Sequence, residues 1–222
     1  MQRIVQPEIL DSLHPNDPDA IASRRDLRLI NKIMGNEKWI AKKLFSSLKP
    51  NDRILEIGAG SGDLGRFLQK KSSQKPLDYC GLDLAPRPAD WPADWQWFQD
   101  DLTKFNRFGD FTILLANLIL HHFENDDLAE LGKKITHSNL RLIVACEPAR
   151  FPLHRWQLHL LRPFKLNRVT LHDGQISIRA GFRTEELPKF LGLRKLDWQS
   201  ETSCTFLGAM RMVARRNEKP AR

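Results

Sequence analysis

Three groups of residues in this chain have the type and spacing to do chemistry. The first is Leu55-Glu56-Ile57-Gly58-Ala59-Gly60-Ser61-Gly62-Asp63-Leu64-Gly65, an apolar run that ends in a glycine-dense turn. Glycine lets backbone N–H groups approach a ligand with no Cβ in the way, and such a turn between strand and helix is a nucleotide-binding loop. The second is a set of acids that close short apolar runs: Asp83 after Leu77–Leu82, Asp100 and Asp101 after Trp95–Gln99, and Glu147 after Leu140–Cys146. The third is His121-His122, which follows Phe111–Ala116 and Asn117. Imidazole changes charge near neutral pH, so such a ring suits removal of a proton from an acceptor. Adjacent side chains point in different directions, so one ring is expected to face a pocket and the other to pack.

The glycine stretch fits two overlapping patterns. G-x-G-x-x-G, at Gly60, Gly62 and Gly65, is the dinucleotide fingerprint; E-x-G-x-G-x-G begins at Glu56. In a dinucleotide loop the turn follows the strand at once and its third glycine lets the helix pack closely. Counted from Gly58, that third position is Asp63, which would also repel a pyrophosphate at the helix start. Glu56, a carboxylate at the strand end, suits a cationic ligand instead. S-adenosylmethionine (SAM) carries a sulfonium and an ammonium and no phosphate. LEIGAGSGDLG resembles the first motif of the class I SAM-dependent methyltransferases.

Other segments follow in the order of that family. Tyr79-Cys80-Gly81-Leu82-Asp83 is similar to its second motif, whose acid receives both ribose hydroxyls; Asp83, with Leu84 beside it, matches. Phe98-Gln99-Asp100-Asp101-Leu102 resembles the third, whose acid accepts from the adenine amino group. Asp101 before Leu102 matches better, and Asp100 is the alternative. Ala116-Asn117-Leu118-Ile119-Leu120-His121-His122-Phe123 resembles the fourth motif of the small-molecule branch. The resemblance covers residues 50–147 well and the C-terminal part loosely. Thr136-His137-Ser138-Asn139 replaces the usual Pro-Gly-Gly turn.

The resemblance implies a Rossmann-like, doubly wound α/β sheet, mostly parallel with an antiparallel C-terminal hairpin. It implies SAM as cofactor, held by Glu56, Gly58, Gly60, Gly62, Asp83, Leu84, Asp100, Asp101, Leu102 and Asn117. Methylases of exocyclic base amines carry Asn/Asp-Pro-Pro-aromatic at the fourth motif, and this chain has Asn117-Leu118-Ile119-Leu120. The acceptor is therefore expected to be a small molecule, methylated on oxygen or an acidic carbon: a phenol, a quinone precursor or a polyketide-like compound. His122 is the preferred base, with His121 and Glu147 as alternatives; Glu147 also reads as an ion-pair partner of a cation such as Arg150. His154 and His172 are candidate substrate contacts, and each also reads as a structural histidine. Two other readings stand beside this one: an RNA methyltransferase, and a SAM-binding partner module without catalysis.

Several elements must position these residues. Asp17-Pro18 starts a helix that Gly35-Asn36 breaks, and a second helix covers about residues 37–47. Residues 1–50 thus form a helical extension, a candidate lid, ahead of a domain over 51–222. Helices are expected at Gly65–Lys71, Asp126–Ile135 and Thr184–Leu191, among strands at Arg53–Ile57, Leu77–Leu82, Trp95–Gln99, Phe111–Ala116 and Leu140–Cys146. Residues 150–182 interrupt this rhythm and are expected to roof the acceptor pocket. Within them a helix runs from Phe151-Pro152 to Leu161, stopped by Pro163, with Leu153, Trp156 and Leu160 as an apolar stripe and Trp156 in the core. His172-Asp173-Gly174 reads as a turn. Leu193–Ser200 and Thr205–Ala214 read as a hairpin joined at Glu201-Thr202-Ser203.

Composition sets the frame. The 222 residues, 41% of them hydrophobic, suit one sizeable core. Of the net charge of +8, residues 148–222 hold +9, residues 1–50 hold +3 and residues 51–147 hold −4. A basic region of this kind meets an anionic partner or is a solvated face, and an acidic carrier protein or a second copy of the chain are the partners considered; nucleic acid is disfavoured. Cys80, Cys146 and Cys204 have neither metal nor redox spacing, so neither a disulfide framework nor a metal site is expected. No signal peptide or membrane span is read, and the expected compartment is the cytoplasm.

Overall fold

The computed structural model describes residues 1–14, 16–72, 76–160 and 166–218; Pro15, Leu161, Pro163 and Lys219 lie outside them. The short apolar runs form β1 (Arg53–Ile57), β2 (Asp78–Asp83), β3 (Gln96–Gln99), β4 (Ile113–Asn117) and β5 (Leu142–Pro148), followed by β6 (Trp198–Cys204) and β7 (Ala209–Arg216). They make one sheet in the order β3-β2-β1-β4-β5-β7-β6. The first five are parallel, and β7 runs antiparallel to both β5 and β6. The strand order reverses between β1 and β4, and ligands in open α/β sheets bind outside the carboxyl ends of the strands at such a point.

The α-helices among the described residues are α1 (Ile9–Ser12), α2 (Pro18–Met34), α3 (Asn36–Phe45), α4 (Asp63–Lys71), α5 (Asn125–Thr136), α6 (Pro152–Leu160), α7 (Arg168–Ala180) and α8 (Glu186–Phe190). Alternate strand residues face opposite layers. Ile54, Ile113, Leu115 and Val144 pack against Ile40 and Leu44 of α3 and Leu64 and Leu68 of α4. Leu55, Ile57, Leu114 and Ile143 pack against Leu128, Leu131 and Ile135 of α5 and Leu187 of α8. Burial of each such side chain stabilises by about 1.5–3 kcal/mol. Asp17 caps α2 through Asp19 N, and Gly35 ends that helix in the left-handed region (φ 68°).

Trp91 and Trp97 occupy space that side chains would fill at three glycines. A Cβ on Gly62 would lie 2.8 Å from Trp91, one on Gly65 3.1 Å from Trp91, and one on Gly81 2.6 Å from Trp97. The indoles thus wedge between the glycine loop and β2.

Four expectations need correction. The last hairpin turns at Thr205–Gly208, where Thr205 N donates to Ala209 O at 2.7 Å; residues 201–203 lie inside β6. Gly208, at φ 87°, supplies the positive φ that Glu201-Thr202-Ser203 lacks. The strand expected from Leu193 begins at Trp198, because Asp197 N and Trp198 N both donate to Arg194 O and close a turn first. His172-Asp173-Gly174 is helical: Asn167 caps α7 through Val169 N, and Gly174 admits Leu158, which a Cβ would approach to 2.7 Å. Trp156 is 60% exposed, because α6 buries His154 and Leu158, and its Leu153-Trp156-Leu160 stripe faces outward.

Candidate functional site

The glycine loop follows β1 and is held in shape by β2. Gly58, Gly60 and Gly62 all have positive φ. Gly58 N and Ala59 N donate to Leu82 O at 2.9 and 3.2 Å. Gly60 N donates to Asp83 Oδ2 at 2.7 Å, while Asp83 Oδ1 accepts from Ala85 N at 2.8 Å. A Cβ on Gly60 would meet nothing within 4 Å, so the loop leaves an open cradle at its apex. Arg66 ties Asp63 to Asp90, and Arg28 of α2 comes within 3.9 Å of Asp63.

Glu56 is buried at the end of β1 beneath that cradle, bonded to Tyr79, whose ring stacks on Trp95. Glu56 is 2% exposed and accepts from Tyr79 OH at 2.8 Å. Burial pushes its carboxyl up to about 8, with the Tyr79 hydrogen bond opposing the rise. Asn117 Nδ2 lies 3.4 Å from Asn31 Oδ1 of α2, and its own Oδ1 is shielded without a hydrogen-bond partner. Asp100 N donates to Asp83 O, which places the second and third acidic segments side by side. Asp101 accepts from Thr103 N and Oγ1 at 2.9 and 2.8 Å, so its carboxylate closes a local turn. Asp100 Oδ1 accepts from Asp101 N. Leu102 is 8% exposed in the core, and Leu84 is 72% exposed.

A second cluster forms beyond β4. Leu118 takes a positive φ of 59° and its N–H donates to Cys146 O. The chain then turns so that Ile119, Leu120 and His121 N–H groups all point at the Glu147 carboxylate, at 3.2, 2.9 and 3.3 Å. His121 Nδ1 lies 2.7 Å from Glu147 Oε2, and its Nε2 lies 3.5 Å from Glu8 Oε1. Burial alone would lower the His121 pKa, but the hydrogen bonds and charges of Glu147 and Glu8 raise it to about 9. Burial would raise Glu8; the His121 hydrogen bond and the charges of both histidines hold it below the usual carboxylate range. His122 is a quarter exposed, with Nδ1 3.4 Å from Asp11 Oδ2 and Nε2 4.0 Å from Glu8 Oε1. Arg150 is not the partner of Glu147: it pairs with Glu186 at 2.5 Å.

Glu8 and Asp11 were not among the sequence candidates. They sit in a short segment that Asp173 fastens by accepting from Ile9 N and Leu10 N at 3.0 and 2.9 Å. Arg3 donates to Phe123 O and Ala180 O, and Ser177 donates to Glu8. The only sequence signal was polar residues in an irregular stretch, and no spacing rule links them to His121.

His154 and His172 do not join this cluster. His154 is buried against Phe151 and near Gly208, with Nδ1 2.8 Å from Gln157 Oε1. His172 bonds Asp173 and opens on a different cleft of about 760 Å3, lined also by Arg155, His159, Arg168 and Arg179. Among the described residues no helix is long and apolar enough to cross a membrane.

Comparison with known proteins agrees with this architecture. The structure is similar to the plantazolicin methyltransferase BamL in complex with SAH and a triazolic desmethylPZN analog: TM-score 0.71, 10% identity, 94% of this chain and 93% of that one covered. It is similar to magnesium protoporphyrin IX methyltransferase from Synechocystis with bound SAH: TM-score 0.56, 14% identity, 87% and 86% covered. It is also similar to the small RNA methyltransferase HEN1, at TM-score 0.58 and 18% identity, over 83% of this chain and 25% of that one. No protein-family model matches the sequence, and no curated protein matches it. The chain has the fold of the class I SAM-dependent methyltransferases.

Proposed function

We propose that this protein is a SAM-dependent methyltransferase that methylates oxygen, or an acidic carbon, of a small molecule such as a phenol, quinone precursor or polyketide-like compound. One observation carries the reading. Ile119, two residues before His121, packs on Gly58 so closely that a Cβ there would lie 2.4 Å away. The glycine cradle and the histidine pair are therefore neighbours across the reversal between β1 and β4.

The residues present fit the cofactor. Asp83 would receive the ribose hydroxyls, the apex at Gly60 gives the backbone close approach, and the unpartnered Asn117 Oδ1 would accept from the ammonium. Asp100 or Asp101 would take the adenine amino group. SAM, when bound, supplies an activated methyl group, and the enzyme's task is to hold the acceptor in line and exclude water. Helix α2, whose Arg28 and Asn31 reach Asp63 and Asn117, would act as the lid. His122 serves as the general base. It is partly exposed, with Nδ1 3.4 Å from Asp11 Oδ2, whereas His121 is buried and held protonated between two carboxylates.

Calorimetry with SAM, S-adenosylhomocysteine and NAD tests the cofactor; binding of NAD alone would overturn the reading. Labelled SAM with a phenol and polyketide library tests the acceptor. His122→Ala is expected to lower kcat 100-fold or more, within the usual range for loss of a general base. An unchanged rate removes His122 from that role. The arginine-lined cleft favours one other reading, an RNA acceptor; it requires salt-dependent RNA binding, and a gel shift blank at low salt rules it out.

A further inference from the structure

We propose that Glu8, His121 and His122 form a binding site for a divalent first-row transition-metal ion. One ligand atom from each of the three lies within 4.8 Å of the other two. The two imidazoles both face a carboxylate through Nδ1, His121 in a buried hydrogen bond and His122 in a looser approach to the exposed Asp11. His121 turns Nδ1 to Glu147 and His122 turns Nδ1 to Asp11, at 2.7 and 3.4 Å. Each ring thereby directs Nε2 to one oxygen, Glu8 Oε1, at 3.5 and 4.0 Å. Metal-binding histidines characteristically give their other ring nitrogen to a carboxylate or carbonyl, which fixes ring orientation and tautomer. Two such pairs converging on a third carboxylate make a two-histidine, one-carboxylate set.

The spacing suits a small ion. With Zn–N about 2.0–2.1 Å and Zn–O about 2.0–2.2 Å, neighbouring ligand atoms of a tetrahedral site lie about 3.4 Å apart. His121 Nε2 already lies 3.5 Å from Glu8 Oε1, and movement of the partly exposed His122 ring from 4.0 Å would close the set. Glu8 is oriented by the Ser177 hydroxyl, and Glu147 by three backbone N–H groups. His122, a quarter exposed, gives the ion a route in from solvent. Three protein ligands leave coordination open for water or another molecule. Two nitrogen donors and one oxygen favour zinc, cobalt, nickel or iron over magnesium, which prefers oxygen ligands and keeps its waters. Spacing rules for metal motifs pass over this set because its carboxylate lies on a segment remote in sequence.

Metal binding is read without any acceptor; an ion held by His122 would replace the free-base role proposed for that ring above, and His121 would release its proton on binding. The full chain, stripped with a chelator, is titrated with Zn2+ and Co2+, with Mg2+ as comparison. One Zn2+ per chain is expected to survive gel filtration, Co2+ to show visible ligand-field bands, and Mg2+ to give no heat. Glu8→Gln and His122→Ala are expected to abolish the cobalt bands, and Glu147→Gln to weaken Zn2+ binding about 10–100-fold. Circular dichroism checks that each variant is folded, and Glu8→Gln serves as the near-isosteric member. Failure to retain Zn2+ in the unmutated chain overturns the proposal. So does retention unchanged by Glu8→Gln, which would place the ion on other histidines.

Discussion

His121 Nδ1 lies 2.7 Å from Glu147 Oε2, and the same carboxylate collects the N–H groups of Ile119, Leu120 and His121. One buried acid therefore fixes both an imidazole and the backbone turn that presents it. This is the arrangement of a carboxylate held in a nest of backbone donors. It ties the histidine segment, which follows β4, to the end of β5.

The pair sets a pH dependence. The His121 pKa rises to about 9 in the folded chain, above about 6.5 unfolded. Its stabilising contribution is complete below about pH 6.5 and is lost as pH climbs through about 9. Scanning calorimetry should show the melting temperature falling over that interval. Glu147→Gln should lower stability at pH 6, on the order of 3–5 kcal/mol for a broken buried pair, and flatten the fall. An equally steep fall in the variant would assign the titration elsewhere.

Glu56 acts with the same sign through the opposite chemistry. Its pKa is raised to about 8 from 4.5. Between those values the folded chain holds a proton that the unfolded chain has released, so stability declines as pH rises through the window. Glu56→Gln keeps the Tyr79 hydrogen bond and removes the proton. Urea midpoints should then differ little between variant and parent at pH 4.5 and favour the variant at pH 8. A parent that is favoured at pH 8 would contradict this.

Two neighbouring glycines should separate folding from binding. A Cβ on Gly58 would strike Ile119 at 2.4 Å, whereas one on Gly60 would meet open space. Both positions have positive φ, which costs about 1–2 kcal/mol for a side chain. Gly60→Ala should lower the melting temperature by only a few degrees yet lose SAM affinity tenfold or more. Gly58→Ala should lose both stability and affinity. Calorimetric titration beside thermal melts reads the contrast, and full affinity in Gly60→Ala would show that the cradle is not the cofactor's.

Asp83→Ala removes the acceptor of Gly60 N–H and the proposed ribose contact together. Hydrogen bonds to a charged group contribute about 1.5–3 kcal/mol each, so SAM should bind at least 10-fold more weakly. An unaltered dissociation constant would remove Asp83 from the site.

Much of this was legible in the residues. The strands were visible because buried parallel strands read as short apolar runs, and the Asp17-Pro18 start and Gly35-Asn36 break were visible because caps have side-chain rules. Asp83, Asn117 and Glu147 fell at strand ends, where parallel sheets place their sites. The failures share a cause. His172 was misread because Asp-Gly is a turn signal that helix packing overrode, and Trp156 because a stripe of apolar residues does not say which way it faces. Glu8 and Asp11 were invisible because their role depends on tertiary contact with α7, which no local period records.

The fastening of residues 3–10 onto α7 has a consequence for how the site comes into being. Ile4 donates to Arg179 O, Ile9 and Leu10 to Asp173, and Arg3 to Ala180 O. During synthesis this segment emerges before every strand, yet its docking partners emerge only after the five parallel strands are complete. It must wait as loose chain and close a loop of well over a hundred residues, although the entropy of closure grows only slowly with such length. These residues are therefore seated only after the five parallel strands and α7 have been made. Until they are, the histidine pair stands without Glu8, so the cluster assembles only once α7 is in place.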